Sequence, residues 1–237
     1  MLRHTRAAVE ALAHAGALPP ADLARRLGVP RPSVYRLLTA LAHEGLVVPS
    51  ADGSFALGTR WLGFGEAALR SASSWFDRDD LLEELRDRTG LTVFLSVPRP
   101  DRTVCIRRLH GRSYKILVLR PGGSLPLHLG GVGRISLAFG PQDADEYLDR
   151  APFDPVTEHS LVTRPELEAD IETSQATGAT VSDQDVTIGV AAIAVPVLDG
   201  GALLAALSVA GRREDILGRV DVLRRSLTEA AGQMGSP

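Results

Sequence analysis

Lysine is almost absent from this chain: Lys115 is the only one among 26 basic residues, and arginine supplies the rest. Cysteine is as scarce. Cys105 stands alone, which excludes an internal disulfide and a multi-cysteine zinc site, and its place in Thr103-Val104-Cys105-Ile106 reads as a small buried hydrophobe in a strand. Long apolar runs are missing too. Stretches such as Val190 to Val197 are the longest, far short of the roughly 20 residues that span a bilayer. The opening Met1-Leu2-Arg3-His4-Thr5-Arg6 leads into an alanine-rich stretch broken by Glu10 and His14, too polar for a secretory leader. A cytoplasmic protein without membrane association is expected. The six histidines show no His-x-x-x-His or Glu-x-x-His spacing, so no metal site or cofactor is expected. No Gly-x-Ser-x-Gly elbow and no recognisable nucleophile or acid–base set is present, which argues against an enzyme. Gly63-x-Gly65-x-x-Ala68 does not open a strand–helix–strand unit and is set aside as a dinucleotide fingerprint.

The formal charge of −3 is unevenly spread. Residues 1–60 carry seven arginines against four carboxylates, a net of +3, so the remainder is acidic. A basic head on an acidic body suits a chain in which only the head meets phosphate.

Periodicity then divides the chain. Thr5 to Ala15 has apolar residues at helical spacing and stops at Gly16; Pro19-Pro20 opens a short second helix that Gly28 ends. A third helix is expected from Pro32 to His43. Leu46–Val48 and Ser54–Leu57 are strand-like and flank the hairpin signal Asp52-Gly53. Thr59 to Ser73 reads as a linker helix, and Trp75 to Thr89 as another helix. Strands are expected at Leu91–Val97, Thr103–Leu109 and Lys115–Leu119. A glycine-rich stretch, Gly122 to Gly133, leads to a short helix ending near Phe139. Asp143–Arg150 and Pro165–Thr177 look helical, Val190–Leu198 and Ala202–Ala210 form a hairpin, and a last helix follows. The division is 1–58 as a winged helix-turn-helix, 59–74 as linker helix and 75–234 as a second domain, giving an α+β class.

The third helix carries the functional signal. Val34, Leu37, Leu38 and Leu41 form one apolar face. The opposite face presents Pro32, Arg36, Thr39 and His43, with Ser33 and Tyr35 on its flanks and no carboxylate before Glu44. Arginine can fork onto guanine, threonine can reach bases, and tyrosine or serine hydroxyls can bond phosphates. Alone, such a helix could equally show an ordinary solvated face. Three short helices, a tight second turn and an immediate hairpin make the order of a nucleic-acid reader. Arg25, Arg26, Arg31, Ser33, Tyr35, Arg36, Thr39 and His43 are the expected DNA contacts.

Leu23-Ala24-Arg25-Arg26-Leu27-Gly28-Val29-Pro30, Ser33-Val34-Tyr35-Arg36-Leu37-Leu38, Gly45-Leu46-Val47 and Phe55-Ala56-Leu57-Gly58 together resemble the winged-helix motif of the IclR family of bacterial transcription regulators. Leu125-Pro126-Leu127-His128, Ile193-Ala194-Val195-Pro196-Val197 and Ala206-Leu207-Ser208-Val209-Ala210-Gly211 extend the resemblance over nearly the whole chain. It implies a GAF-like effector-binding domain behind the linker helix, and a homodimer or a dimer of dimers on a pseudo-palindromic operator. It also implies a small, anionic organic effector, with repression as the commoner outcome. Carried over by position, the effector pocket comprises Tyr114, Leu117, His128, Gly131, Val132, Asp183, Ala192 and Ser208. Backbone N–H groups at the glycine-rich helix start suit an anion, with Arg134 and Ser208 as further donors. Where the family usually has a Thr-Ala-x-Gly-Lys-Ala type sequence, this chain has Gly130-Gly131-Val132-Gly133-Arg134-Ile135, and its stretch from Gly178 to Gly189 is short and irregular. The alternative stays open that these glycines only permit a tight turn, that Ser208 fills core, and that the second domain dimerises without a ligand.

Overall fold

The computed structural model describes residues 2–71, 78–112, 119–141 and 143–235. The chain divides into two compact units, Met1–Phe76 and Asp77–Pro237, each built around its own core.

In the first unit, α1 (Leu2–Ala15), α2 (Pro20–Leu27) and α3 (Arg31–His43) precede the hairpin of β2 (Val47–Pro49) and β3 (Phe55–Leu57). A two-residue strand, β1 (Ala17–Leu18), pairs antiparallel with β3 and gives the sheet order β1-β3-β2. That strand is too short to leave a periodic trace in sequence; only the pairing reveals it. Prolines occupy the first turns of α2 and α3, where a missing N–H costs nothing, and Gly28 ends α2 in the left-handed conformation at φ 63°. Ala8, Leu12, Leu23, Val34, Leu38 and Val47 form the core of this unit. Next, α4 (Arg60–Ser71) begins against the wing. The Trp61 indole N–H donates to Leu46 O at 2.7 Å and Arg60 Nη1 donates to Glu44 O at 2.6 Å.

The second unit opens with α5 (Asp79–Thr89), followed by β4 (Thr92–Pro98), β5 (Arg102–Leu109) and β6 (Ser124–Pro126). Then come α6 (Gly130–Phe139), α7 (Ala144–Leu148), α8 (Arg164–Thr177), β7 (Thr180–Asp183), β8 (Val190–Asp199), β9 (Ala202–Arg212), α9 (Arg213–Leu217) and α10 (Val220–Gly235). Among the described residues six strands make one antiparallel sheet in the order β6-β5-β4-β9-β8-β7. The strand expected at Lys115–Leu119 lies almost wholly outside the described residues. The irregular stretch after Gly178 contains a real strand, β7, whose four residues alternate between buried and half-buried. Its edge pairing with β8, not its composition, makes it a strand.

Strand alternation sorts the sheet into two faces. Phe94, Ala194, Ala206 and Ala210 lie on one of them, packed with Val132 and Ile135 of α6. Small side chains there let the helix approach closely: a Cβ built on Gly131 stands 3.1 Å from the Ala194 Cβ. Val93, Leu95, Ile193, Leu207 and Val209 alternate with that set and are fully buried, and α5 and α10 pack against the sheet and each other. Cys105 is fully buried, as its sequence context suggests, and burial pushes its thiol up to about 11.

Candidate functional site

The first candidate is the outward face of α3. Pro32, Arg36, Thr39 and His43 are all exposed, Tyr35 is exposed and Ser33 half-buried, while Val34, Leu38 and Leu41 turn into the core. Arg25 and Arg26 are exposed in the last turn of α2, and Arg31 is exposed at the start of α3. The structure therefore brings the eight expected DNA contacts to the surface around one helix-turn-helix. Their charge states of pairing differ. Arg25 Nη2 donates to Asp22 Oδ1 at 2.6 Å, and the His43 ring lies 3.2 Å from Glu44 Oε1. Arg26, Arg31 and Arg36 have no ion-pair partner among the described residues, so their charge is available to a phosphate or a base edge. Beside them the wing is locked at its tip: Asp52 accepts from Ser54 N at 3.0 Å and from Ser54 Oγ at 2.6 Å. Those bonds, the side-chain one first, hold the Asp52 carboxyl below the usual carboxylate range. Gly53 follows at φ 79°, a backbone state that disfavours a side chain.

The second candidate is a cavity of about 60 Å³ between the α6 N-terminus and the sheet. Gly131, Val132, Ala192 and Ser208 all line it, together with Phe94, Leu125, Ser182 and the loop residues Val186 and Thr187. Its walls are mainly apolar. The Ser208 hydroxyl has no hydrogen-bond partner among the described residues, although the residue is only 3% exposed. This is well below the roughly 300–1,000 Å³ of a preformed ligand pocket.

Two more of the expected pocket residues lie elsewhere. Asp183 forms an exposed ion pair with Arg213, with bonds of 2.7 and 2.9 Å. His128 is buried in another cluster, its Nδ1 at 2.8 Å from the Tyr147 hydroxyl and its ring stacked on Phe153 at 4.3 Å. Burial lowers its pKa. Tyr114 and Leu117 lie outside the described residues.

The helix start is also already served by the chain's own charges. Asp185, 2% exposed, accepts from the Gly130 N–H at 2.9 Å, from the Ser182 hydroxyl, and stands 3.5 Å from Arg134 Nη2. Arg134 does not line the cavity. Its buried guanidinium pairs with Asp170 of α8 and donates to Val181 O at 2.8 Å. Burial, partly offset by Arg134, raises the Asp170 carboxyl above its ordinary value. Sequence reasoning missed Asp185 because it falls in the irregular stretch. It missed Phe94 because only the strand register, Phe94 opposite Ser208, puts both over the same cavity.

Comparison with known proteins agrees with this layout. The model of the IclR helix-turn-helix domain matches residues 7–50, and that of the C-terminal domain of bacterial IclR transcriptional regulators matches residues 76–235. The DNA-binding transcriptional repressor YiaJ of Escherichia coli is 28% identical over 186 residues, covering 76% of this chain and 66% of that protein. The Pca regulon regulatory protein of Pseudomonas putida is 32% identical over 193 residues, covering 80% and 66%. In both cases the match spans just under two thirds of the relative. An IclR homologue from Microbacterium hydrocarbonoxydans, crystallised with 4-hydroxybenzoate, shares the fold at a TM-score of 0.80 and 22% identity, over 99% of this chain and 97% of that one. These relatives are regulators and not enzymes. With a family model matched to each of its two units, the chain belongs to the IclR family of bacterial transcriptional regulators.

Proposed function

We propose that this protein is a cytoplasmic, sequence-specific DNA-binding regulator, acting as a repressor, whose operator affinity is set by a small anionic organic molecule. Residues 1–58 read the operator, 59–74 link, and 75–234 hold the effector. The observation that carries the reading is the outward face of α3, where Arg36 stands exposed without an acidic partner among the described residues. The neighbouring YiaJ repressor and the 4-hydroxybenzoate complex support the regulatory and ligand-binding parts. In the cavity, the free Ser208 hydroxyl supplies a donor and Phe94 a flat apolar wall. The Val186–Thr187 loop lines the cavity outside the sheet and α6. No helix among the described residues is long and apolar enough to cross a membrane.

One such module buries only about 600–1,000 Å² on DNA, so tight binding calls for two copies on a pseudo-palindrome. Leu62 and Phe64 of α4, 75% and 48% exposed, are the apolar side chains offered for pairing. Trp61 is engaged with the wing instead.

Selection of bound sequences from a genomic or random library by the purified protein tests the DNA reading. Recovery of no preferred sequence rejects it. The small size of the cavity favours a second reading, in which the C-terminal unit only dimerises. An operator affinity that no member of an organic-acid library shifts decides for that second reading.

A further inference from the structure

A groove of about 340 Å³ runs between the first turn of α1 and α3. His4 stands on one side, and Ser33, Arg36 and Leu37 on the other. None of the groove's lining residues is acidic, and α1 has no acid in its first turn. The placement of His4 follows from helix geometry. His4, Ala8 and Leu12 fall at i, i+4 and i+8 on one stripe. Ala8 and Leu12 are fully buried, so His4 carries that stripe past the edge of the core and meets the face of α3. Around it, Arg3 is exposed and has no ion-pair partner among the described residues. Arg6 reaches only Glu10, at 3.7 Å, with both side chains mostly exposed. Two residues on from His4, Arg6 faces away from α3. The IclR helix-turn-helix match begins at residue 7, so these three side chains lie outside the recognised reading motif.

We propose that the first turn of α1, through Arg3 and His4, grips the phosphate backbone of the operator alongside α3. The proposal rests on the DNA-binding reading and extends its footprint. Arginine, histidine and the Ser33 hydroxyl are all donors to phosphate oxygens, and such contacts fix register without reading bases. The α3 face then selects the sequence, while the α1 turn fixes how deeply and at what angle α3 sits.

The test compares the wild-type chain with Arg3→Ala/His4→Ala and with Arg3→Glu, by fluorescence anisotropy. The probes are a duplex selected by the protein itself and a scrambled duplex, titrated over a range of salt. The expected result is a salt slope smaller by about one for each lost contact, and the same fold loss on both duplexes. Base preference stays unchanged. A wild-type slope and affinity in variants that melt like the wild type overturns the proposal. Should the double variant melt lower, Arg3→Gln, altered only at an exposed side chain, decides by the same slope. A wild-type chain with no sequence preference at all rejects the underlying DNA reading, and the grip with it.

Discussion

The two units treat charge in opposite ways. On the helix-turn-helix, Arg26, Arg31 and Arg36 are exposed and unpaired among the described residues. In the C-terminal unit, Arg134 is buried with both of its nearby carboxylates, Asp170 and Asp185, drawn onto it. Unpaired surface cations are cheap in water and are completed by a polyanion when it arrives. A buried charge has no such freedom; it must be satisfied by the chain itself. The contrast teaches where each charge is met: the head waits for a partner, whereas at the start of α6 Asp185 already meets the Gly130 N–H and Arg134, which leaves Ser208 as the donor offered to an effector.

The largest test breaks the body. Arg134→Ala leaves Asp170 and Asp185 buried without their cation, and is expected to cost about 3–5 kcal/mol of stability, read from urea unfolding of the full chain. Unchanged stability would mean the pair is not held in solution. The pH dependence sharpens this. The Asp170 carboxyl is raised in the folded state, mainly by burial. Its contribution to stability is therefore fully present below the unfolded carboxylate range, and is lost as pH rises through the folded value. Removing Arg134 should move that loss to higher pH.

Next comes the cavity. A saturating effector should shift operator affinity by about 5- to 150-fold, and operator DNA should shift effector affinity by the same factor. Ser208→Leu fills the space beside Phe94 and should abolish the shift while operator binding persists. A variant that still responds to effector would move the ligand site elsewhere.

On the head, Arg36→Ala should weaken specific binding by about 1–3 kcal/mol and relax base preference. Arg26→Ala should lower affinity for all sequences equally and reduce the salt slope by about one. If the two variants behave alike, α3 presents a different face to DNA. The smallest effect is at the wing: Ser54→Ala should return the Asp52 carboxyl upward toward its ordinary range, measurable by NMR titration. Stability drawn from the Ser54 bonds is present above that range and lost as pH falls through the folded value.

Much of the head was legible because a helix wheel is a local property. The 3.6-residue period alone separated Val34, Leu38 and Leu41 from Arg36, Thr39 and His43, and the structure places them on those sides. The cavity was legible only in part. Gly131, Val132, Ala192 and Ser208 meet there, but they come from three elements whose convergence depends on sheet register. Asp183 and His128 sit elsewhere because adjacent strand residues point to opposite faces and because His128 precedes α6 by a turn that aims it at Tyr147. Asp185 carried no periodic signal at all. Its importance comes from a hydrogen bond to a residue 55 positions away.

The ordering of the large sheet also bears on how the protein behaves when crowded. Among the described residues its outer strands are β6, three residues long and ending in Pro126, and β7, four residues long with Asp183 held by Arg213. A neighbouring molecule seeking to extend the sheet finds a short template at either end. One template contains a residue that cannot donate, and the other carries a formal charge pair. Such edges resist strand-to-strand association between molecules. At the β7 margin the sheet therefore discourages a covering strand from another chain.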